Sequence, residues 1–407
     1  MNTISLHKIA EFTQAAIQLP SSKSLSNRAL IIQALCNEKI ELMDLSSSSD
    51  TQNLVDLLKK ETYLYDVGPA GTNMRFLISL LSIKPGMSVI TGSERMLERP
   101  VGKLVDCLSL LGSDIHYLKE IGYPPLEIHG KKLTGGAVNI DGSTSSQFIS
   151  SLLMIAPVLE NGLTLELDGT LVSRPYIDMT LGLMHHFGIK SVWEYNHIKI
   201  LPQAYLPANY TIEKDWSAAA FWYGHIACGN IGDKILLNQL SFESLQGDKK
   251  AAQYFNQLGV KSTETPHGVL IEKTGQGLTE EGLEFDLINE PDLFPALTFS
   301  CATLRLKAKF TGLDTLQLKE SNRIESIKTE LEKTGTDCIT TNKSLEIINF
   351  HPWPKEMQFN TYNDHRIAMA SSICIQSNQP ISIMEPEVID KSYPEFWNHL
   401  TQIAHIK

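Results

Sequence analysis

The stretch "LVDCLSLLGSDIHYL", residues 104–118, runs with apolar residues at helical spacing to Leu111, breaks at Gly112, and resumes as a short strand. The same order of helix, glycine and strand returns in "MTLGLMHHFGIKSVW" (179–193), "AAQYFNQLGVKSTE" (251–264) and "IKTELEKTGTDCIT" (327–340). The glycines, Gly112, Gly188, Gly259 and Gly335, lie roughly 70 to 76 residues apart, too far for a solenoid repeat and suited to a larger supersecondary unit. Weaker copies at 51–68 and 392–407 extend the series to about six units, which predicts an α/β chain of two domains with about three units each.

Composition limits what such a chain can do. With 407 residues and 42% hydrophobic content there is material for a large core. Lys and Arg number 35 against 46 Asp and Glu, a net charge of −11, which argues against a general polyanion-binding surface. The six cysteines are scattered without a CxxC and read as reduced core residues, which points to the cytoplasm. No basic leader and no apolar run approaching the roughly 18 residues of a membrane span are expected. Strand candidates such as "GLTLELDG", "KAKFTGL" and "ISIMEPEV" are short, and neither GxGxxG nor GxxxxGK[ST] is present, so a dinucleotide fold or a P-loop has little support.

Positive charge in this acidic chain is therefore placed locally. "SSKSLSNRAL" (21–30) sets Lys23, Ser24 and Arg28 at a helix entrance, where Ser22, Ser24 or Ser26 can cap and backbone N–H groups face an anion. "GPAGTNMR" (68–75) and "ERPVGKLVD" (98–106) repeat the theme with Gly71 and Arg99. "DGSTSSQF" (141–148) offers Ser145, Ser146 and Gln147, and "SRPYID" (173–178) adds Ser173. Each loop taken singly is equally ordinary capping or turn chemistry. The second half mixes carboxylates with cations: Asp292 in "NEPDLFPA", Lys319, Glu320 and Arg323 in "LKESNRI", Asp364 and Arg366 in "YNDHRIAMA", and Lys391 in "DKSYPEFW". Such mixtures suit proton transfer, although Glu320 with Arg323 also fits a surface pair and Asp364 a helix cap.

Together, and in this order, these nine stretches resemble the 3-phosphoshikimate 1-carboxyvinyltransferases, or EPSP synthases, over nearly the whole chain. The resemblance implies a two-domain inside-out α/β barrel, each domain three β-α-β-α-β-β units with buried helices. Residues 20–213 would form one domain and residues 1–19 with 214–407 the other, with the active site in the cleft between them. It implies transfer of the enolpyruvyl group of phosphoenolpyruvate (PEP) to the 5-hydroxyl of shikimate 3-phosphate, through a tetrahedral adduct. No metal or organic cofactor, nucleic acid or membrane partner is implied, and a monomer is the family's default.

Carried over by position, Lys23, Ser24, Arg28, Ser145, Ser146, Gln147, Ser173, Asp292 and Lys319 would hold shikimate 3-phosphate. Lys23, Gly71, Arg99, Gln147, Arg323, Arg366 and Lys391 would hold PEP. Asp292 would be the base for the 5-hydroxyl, and Glu320 would protonate the PEP methylene carbon or share that task with Lys23. Glyphosate occupies the PEP site in this family. Ser21, Pro69, Phe76 and Asn322 depart from the family's commoner residues, and Pro69 and Phe76 bear on the loop that carries Gly71. The sister transferase acting on UDP-N-acetylglucosamine commonly has a cysteine in the loop that here reads SERMLERP, and a non-catalytic RNA- or phosphate-binding relative would not need Asp292, Glu320 and Lys23.

Overall fold

Gly112 ends its helix at φ +99° and Gly259 does so at +81°, a backbone conformation that costs glycine little, and a strand follows, at Ile115 in the first case and at Val260 in the second. The computed structural model describes residues 2–9, 12–60, 62–275 and 282–407. The chain divides into two compact units, Ser22–Ile212 and Met1–Ser21 with Glu213–Lys407.

The unit Ser22–Ile212 contains helices α1 (Lys23–Leu35), α2 (Ser49–Lys59), α3 (Gly71–Ile83), α4 (Glu94–Leu97), α5 (Gly102–Leu110), α6 (Ser146–Ile155) and α7 (Arg174–His186). One four-stranded sheet runs in the order Leu64–Asp66, Gly86–Thr91, Leu126–Gly130, Ile115–Tyr117, and a second in the order Gly136–Asp141, Leu163–Asp168, His197–Ile200, Ser191–Glu194. A short parallel pair, Leu42–Met43 with Tyr210–Thr211, accompanies them. The other unit contains α8 (Trp216–Ala227), α9 (Ala251–Asn256), α10 (Phe294–Thr303), α11 (Arg323–Glu332), α12 (His365–Ser371) and α13 (Phe396–Leu400). Its sheets are Gln14–Gln18, Lys234–Asn238, Gly268–Lys273, Val260–Thr265; then Leu283–Asp286, Ala308–Thr311, Ser344–Phe350, Thr336–Thr341; and Met357–Phe359, Ile381–Met384, Thr3–Lys8, Ala404–Ile406.

Each of these four-stranded sheets has the same pairing: the first two strands parallel, the other two contacts antiparallel. The result is an α/β fold of mixed sheets. Among the described residues the barrel that the resemblance implies is not formed as a hydrogen-bonded cylinder, because every sheet ends in its own edge strands and none pairs with the next.

The sheets cover helices whose sequences are apolar on nearly every side. In α8, "WSAAAFWYGHIA", every residue but Ser217 is buried, and in α10 the run Phe294–Ala302 is buried throughout. Helices without a polar face belong in a core. Within Ser22–Ile212, α1, α3 and α6 play this part, with α6 packed between α3 and α7. Among the described residues no helix is long and apolar enough to cross a membrane, and all six cysteines are free thiols.

Candidate active site

In Ser22–Ile212 the predicted loops become the starts of four helices, and side-chain contacts hold those starts at one end. Arg28, one and a half turns into α1, donates to the Thr180 hydroxyl of α7 at 2.7 Å and to Ser150 Oγ of α6 at 3.2 Å. Asn27 Nδ2 reaches Asn73 of α3 at 2.9 Å, and Gln147 Nε2 of α6 reaches Thr72 Oγ1 of α3 at 3.2 Å. Ser22 caps α1 and Ser145 caps α6, whereas no side chain caps α3 or α7. Helix starts present backbone N–H groups and the positive end of the dipole, so four of them together favour a polyanionic ligand. Ser173, just before α7, sits at φ +54°, strained for a residue with a Cβ.

The cations here are differently placed. Lys23 pairs with Asp50 at 2.9 Å, while its side chain keeps 14% exposure. Arg28 is buried: besides Thr180 and Ser150 it donates to the carbonyls of Ser24 and Tyr176, and it lies over the Phe76 ring. Burial lowers its pKa to about 10, against an opposing pull from Tyr176. Arg99 is buried, and its guanidinium lies against Gly71 so closely that a Cβ on that glycine would be 2.6 Å from both Nη atoms. The loop of Ser145 is tied to α5 by Lys103, whose ammonium meets Asp141 at 2.7 Å. The Lys103 hydrogen bond, followed by those from Ser143, draws the Asp141 carboxyl down to about 2.

In the other unit the mixed motifs assemble into one cluster. Arg323, at the start of α11 and 1% exposed, donates through Nε to Asp364 at 2.7 Å, through Nη2 to Glu320 at 2.8 Å and through Nη1 to Asp292 at 3.0 Å. Asp292 also meets Arg366 at 2.9 Å and Lys319 at 3.4 Å, and Lys391 meets Glu320 at 3.3 Å. Asp364 is a helix cap, accepting from the Arg366 N–H at 3.0 Å, and at the same time a partner of Arg323. It follows Tyr362 and Asn363, both at positive φ, so a strained turn delivers the cap.

Four cations, Lys319, Arg323, Arg366 and Lys391, thus pair with three carboxylates, Asp292, Glu320 and Asp364. Burial raises the Asp292 pKa, but the combined attraction of Arg366, Lys319 and Arg323 outweighs it and holds the carboxyl well below the usual range. For Arg323, burial favours loss of the proton, and Asp364, Glu320 and Asp292 reverse that, pushing the pKa above its ordinary value.

The structure adds residues that the sequence reading passed over. Asp50, partner of Lys23, lies in the first turn of α2 behind the Ser48 cap, where an acidic residue is unremarkable. Asp248 is buried with its carboxylate on the Ser217 hydroxyl. Burial first, then Asp292, raise its pKa to about 7, with Ser217 and Arg366 opposing and Asp215 adding a smaller upward push. Only the adjoining Gln246-Gly247 turn marks Asp248 in sequence. Among the described residues no group of His, Cys, Asp and Glu is arranged to hold a metal ion.

Comparison with known proteins first places the fold. An EPSP synthase from Acinetobacter baumannii superposes with a TM-score of 0.79 at 22% identity, covering 100% of this chain and 99% of that one. The enolpyruvyl transferase NikO from Streptomyces tendae gives 0.74 at 12% identity, covering 100% and 98%. The architecture is thus that of known enolpyruvyl transferases. The model of the EPSP synthase (3-phosphoshikimate 1-carboxyvinyltransferase) family matches residues 8–60 and 58–400. A 3-phosphoshikimate 1-carboxyvinyltransferase of Bacteroides fragilis is 44% identical over 392 residues, 95% of this chain and 94% of that protein. One from Colwellia psychrerythraea is 35% identical over 445 residues, 99% and 100% of the two. The chain belongs to the EPSP synthase family.

Proposed function

We propose that this protein transfers the enolpyruvyl group of PEP to the 5-hydroxyl of shikimate 3-phosphate, releasing phosphate, within aromatic amino acid biosynthesis. The observation that carries the chemistry is Asp292 held by Lys319, Arg323 and Arg366 while Glu320 bridges Arg323 and Lys391. This cluster has anion-binding forks, a base and an acid within one set of contacts.

Both sets of residues serve one reaction, in the interdomain arrangement that the resemblance implies. Lys23, Ser24, Arg28, Ser145, Ser146, Gln147 and Ser173, with Lys319, hold shikimate 3-phosphate, its phosphate favoured by the uncapped start of α7. Lys23, Gly71, Arg99, Gln147, Arg323, Arg366 and Lys391 hold PEP, whose carboxylate and phosphate suit planar arginine forks. Asp292 takes the hydroxyl proton. In its present contacts it is a weak base, because three cations stabilise its charge. PEP competes for Arg323 and Arg366, and each donor withdrawn raises the proton affinity of Asp292, so the base is strengthened when the second substrate arrives. Glu320, with Lys23, protonates the PEP methylene carbon. The 5-oxygen bonds to C2 of PEP to give the tetrahedral adduct, and loss of phosphate from C2 together with a methyl proton, taken up by the Glu320 carboxylate, regenerates the double bond.

The shared pairing of the four-stranded sheets supports their reading as repeats of one unit, with the Leu42–Met43 and Tyr210–Thr211 pair as a shortened member. Free thiols suit a reducing cytoplasm, and the protein acts as a monomer without cofactor. The test is phosphate release from PEP with three acceptors. Turnover with shikimate 3-phosphate, and none with UDP-N-acetylglucosamine or RNA termini, supports this reading; any other acceptor preference replaces it.

A further inference from the structure

Arg75 lies one turn into α3 and is 4% exposed, so it is too enclosed to be a surface charge. Its Nη1 donates to the Gly71 carbonyl at 3.2 Å and meets Met96 Sδ at 3.6 Å. Its Nη2 donates to the Pro100 carbonyl at 2.9 Å, and the guanidinium lies over the Phe148 ring, 5.8 Å from its centroid. The backbone of Arg75 is fixed as well, since its carbonyl accepts the Ser151 hydroxyl at 2.6 Å. Gly71 opens α3, Met96 and Pro100 flank Arg99, and Phe148 follows Gln147. One side chain therefore touches three of the four segments that carry the PEP-side residues of this unit, those of Gly71, Arg99 and Gln147.

From this convergence we propose that Arg75 is a positioning residue, which locks the Gly71 turn against the loop of Arg99 and so sets the width of the anion pocket on the PEP side. The proposal rests on the functional reading above. A guanidinium suits the task because its donors diverge in a rigid plane, so two carbonyls held by one fork cannot move independently, whereas an ammonium is a point donor. The pocket is sensitive to that spacing, because Gly71 and the Arg99 guanidinium are already in contact. Arg75 itself faces carbonyls, a sulfur and a ring in these contacts, and it acts through Arg99 and Gly71.

The test compares Arg75→Met, Arg75→Lys and wild type by steady-state kinetics, shikimate 3-phosphate binding and thermal unfolding. Methionine keeps apolar length beside Phe148 and removes every side-chain N–H. In Arg75→Met we expect the KM for PEP to rise about tenfold or more, with shikimate 3-phosphate affinity within about threefold and the melting temperature near that of wild type. Arg75→Lys should fall between, recovering part of the PEP affinity. Equal losses for both substrates, unchanged KM for PEP, or failure of both variants to fold would each assign Arg75 to general structure and overturn the proposal. Wild type run alongside separates the two levels: no turnover with shikimate 3-phosphate and PEP defeats the functional reading, and this proposal with it, before any variant is considered.

Discussion

Replacing Gly71 with alanine adds a single methyl at a place where its effect can be worked out. The new Cβ would lie 2.6 Å from Nη1 and Nη2 of Arg99 and 2.7 Å from its Cζ. Ordinary carbon contacts begin near 3.5 Å, so the guanidinium must retreat by about 1 Å. The obstacle is the far end of a flexible side chain, and Gly71 is the first residue of α3, where alanine is a better helix former. Stability should therefore hold, and the cost should fall on the ligand that Arg99 grips. A hydrogen bond to a charged group contributes about 1.5–3 kcal/mol, and 1.4 kcal/mol is tenfold in affinity, so the KM for PEP should rise by about 10- to 100-fold. Shikimate 3-phosphate affinity should stay within about threefold. Glyphosate, longer than PEP, should lose more, raising the ratio of its inhibition constant to the KM for PEP. Steady-state kinetics with PEP varied at saturating shikimate 3-phosphate, with calorimetric titration of the latter, read these quantities. An unchanged KM for PEP in a folded Gly71→Ala protein would refute the placement of Arg99 and Gly71 on PEP.

Asp292→Asn keeps the shape of the side chain and removes its charge, so turnover should fall by at least about 10² while shikimate 3-phosphate binds within a few-fold. Arg323, Arg366 and Lys319 lose a competing carboxylate, so PEP should bind no more weakly; near-normal turnover would make Asp292 a positioning residue. Asp248 gives a pH signature. Its folded pKa, about 7, lies above the ordinary carboxyl value of 3.8, so the folded state holds the proton more tightly, and this stabilisation is complete at acid pH and lost as pH rises through about 7. The melting temperature of wild type relative to Asp248→Asn should accordingly fall between pH 5 and pH 8; a constant difference would remove Asp248 from the titrating groups.

The parts of this account that could be read from sequence are those whose chemistry is local. Ser22, one of three candidates with Ser24 and Ser26, and Asp364 were legible as caps because a side-chain acceptor precedes an apolar helix within a few residues. Gly112 and Gly335 were legible as helix ends because a glycine after an apolar helical run takes the positive φ that closes the helix. What could not be read was which distant segments meet. Gln14–Gln18 pairs in parallel with Lys234–Asn238, more than half the chain away, and no feature of either strand names the other. Asp292, Arg323, Asp364 and Arg366 were visible one by one, but their shared ion pairs depend on how α10, α11 and α12 pack. Asp50 and Asp248 were missed because an acid in a first helical turn or a tight turn is commonplace, and only burial beside Lys23 or Ser217 sets them apart. Arg28 shows the opposite gap: sequence placed it at a helix entrance, and only packing shows its donors engaged with Thr180, Ser150 and two carbonyls.

Enolpyruvyl transfer is tested by following the reaction of PEP with shikimate 3-phosphate in D2O by phosphorus and proton NMR. Protonation of the methylene carbon makes a methyl group in the adduct, and its loss of a hydrogen to re-form the double bond leaves solvent deuterium behind. Phosphate and a new enol ether should form in equal amounts, only when both substrates are present, with deuterium in the product's methylene group. Phosphate released without shikimate 3-phosphate, or an enol ether free of deuterium, would contradict it.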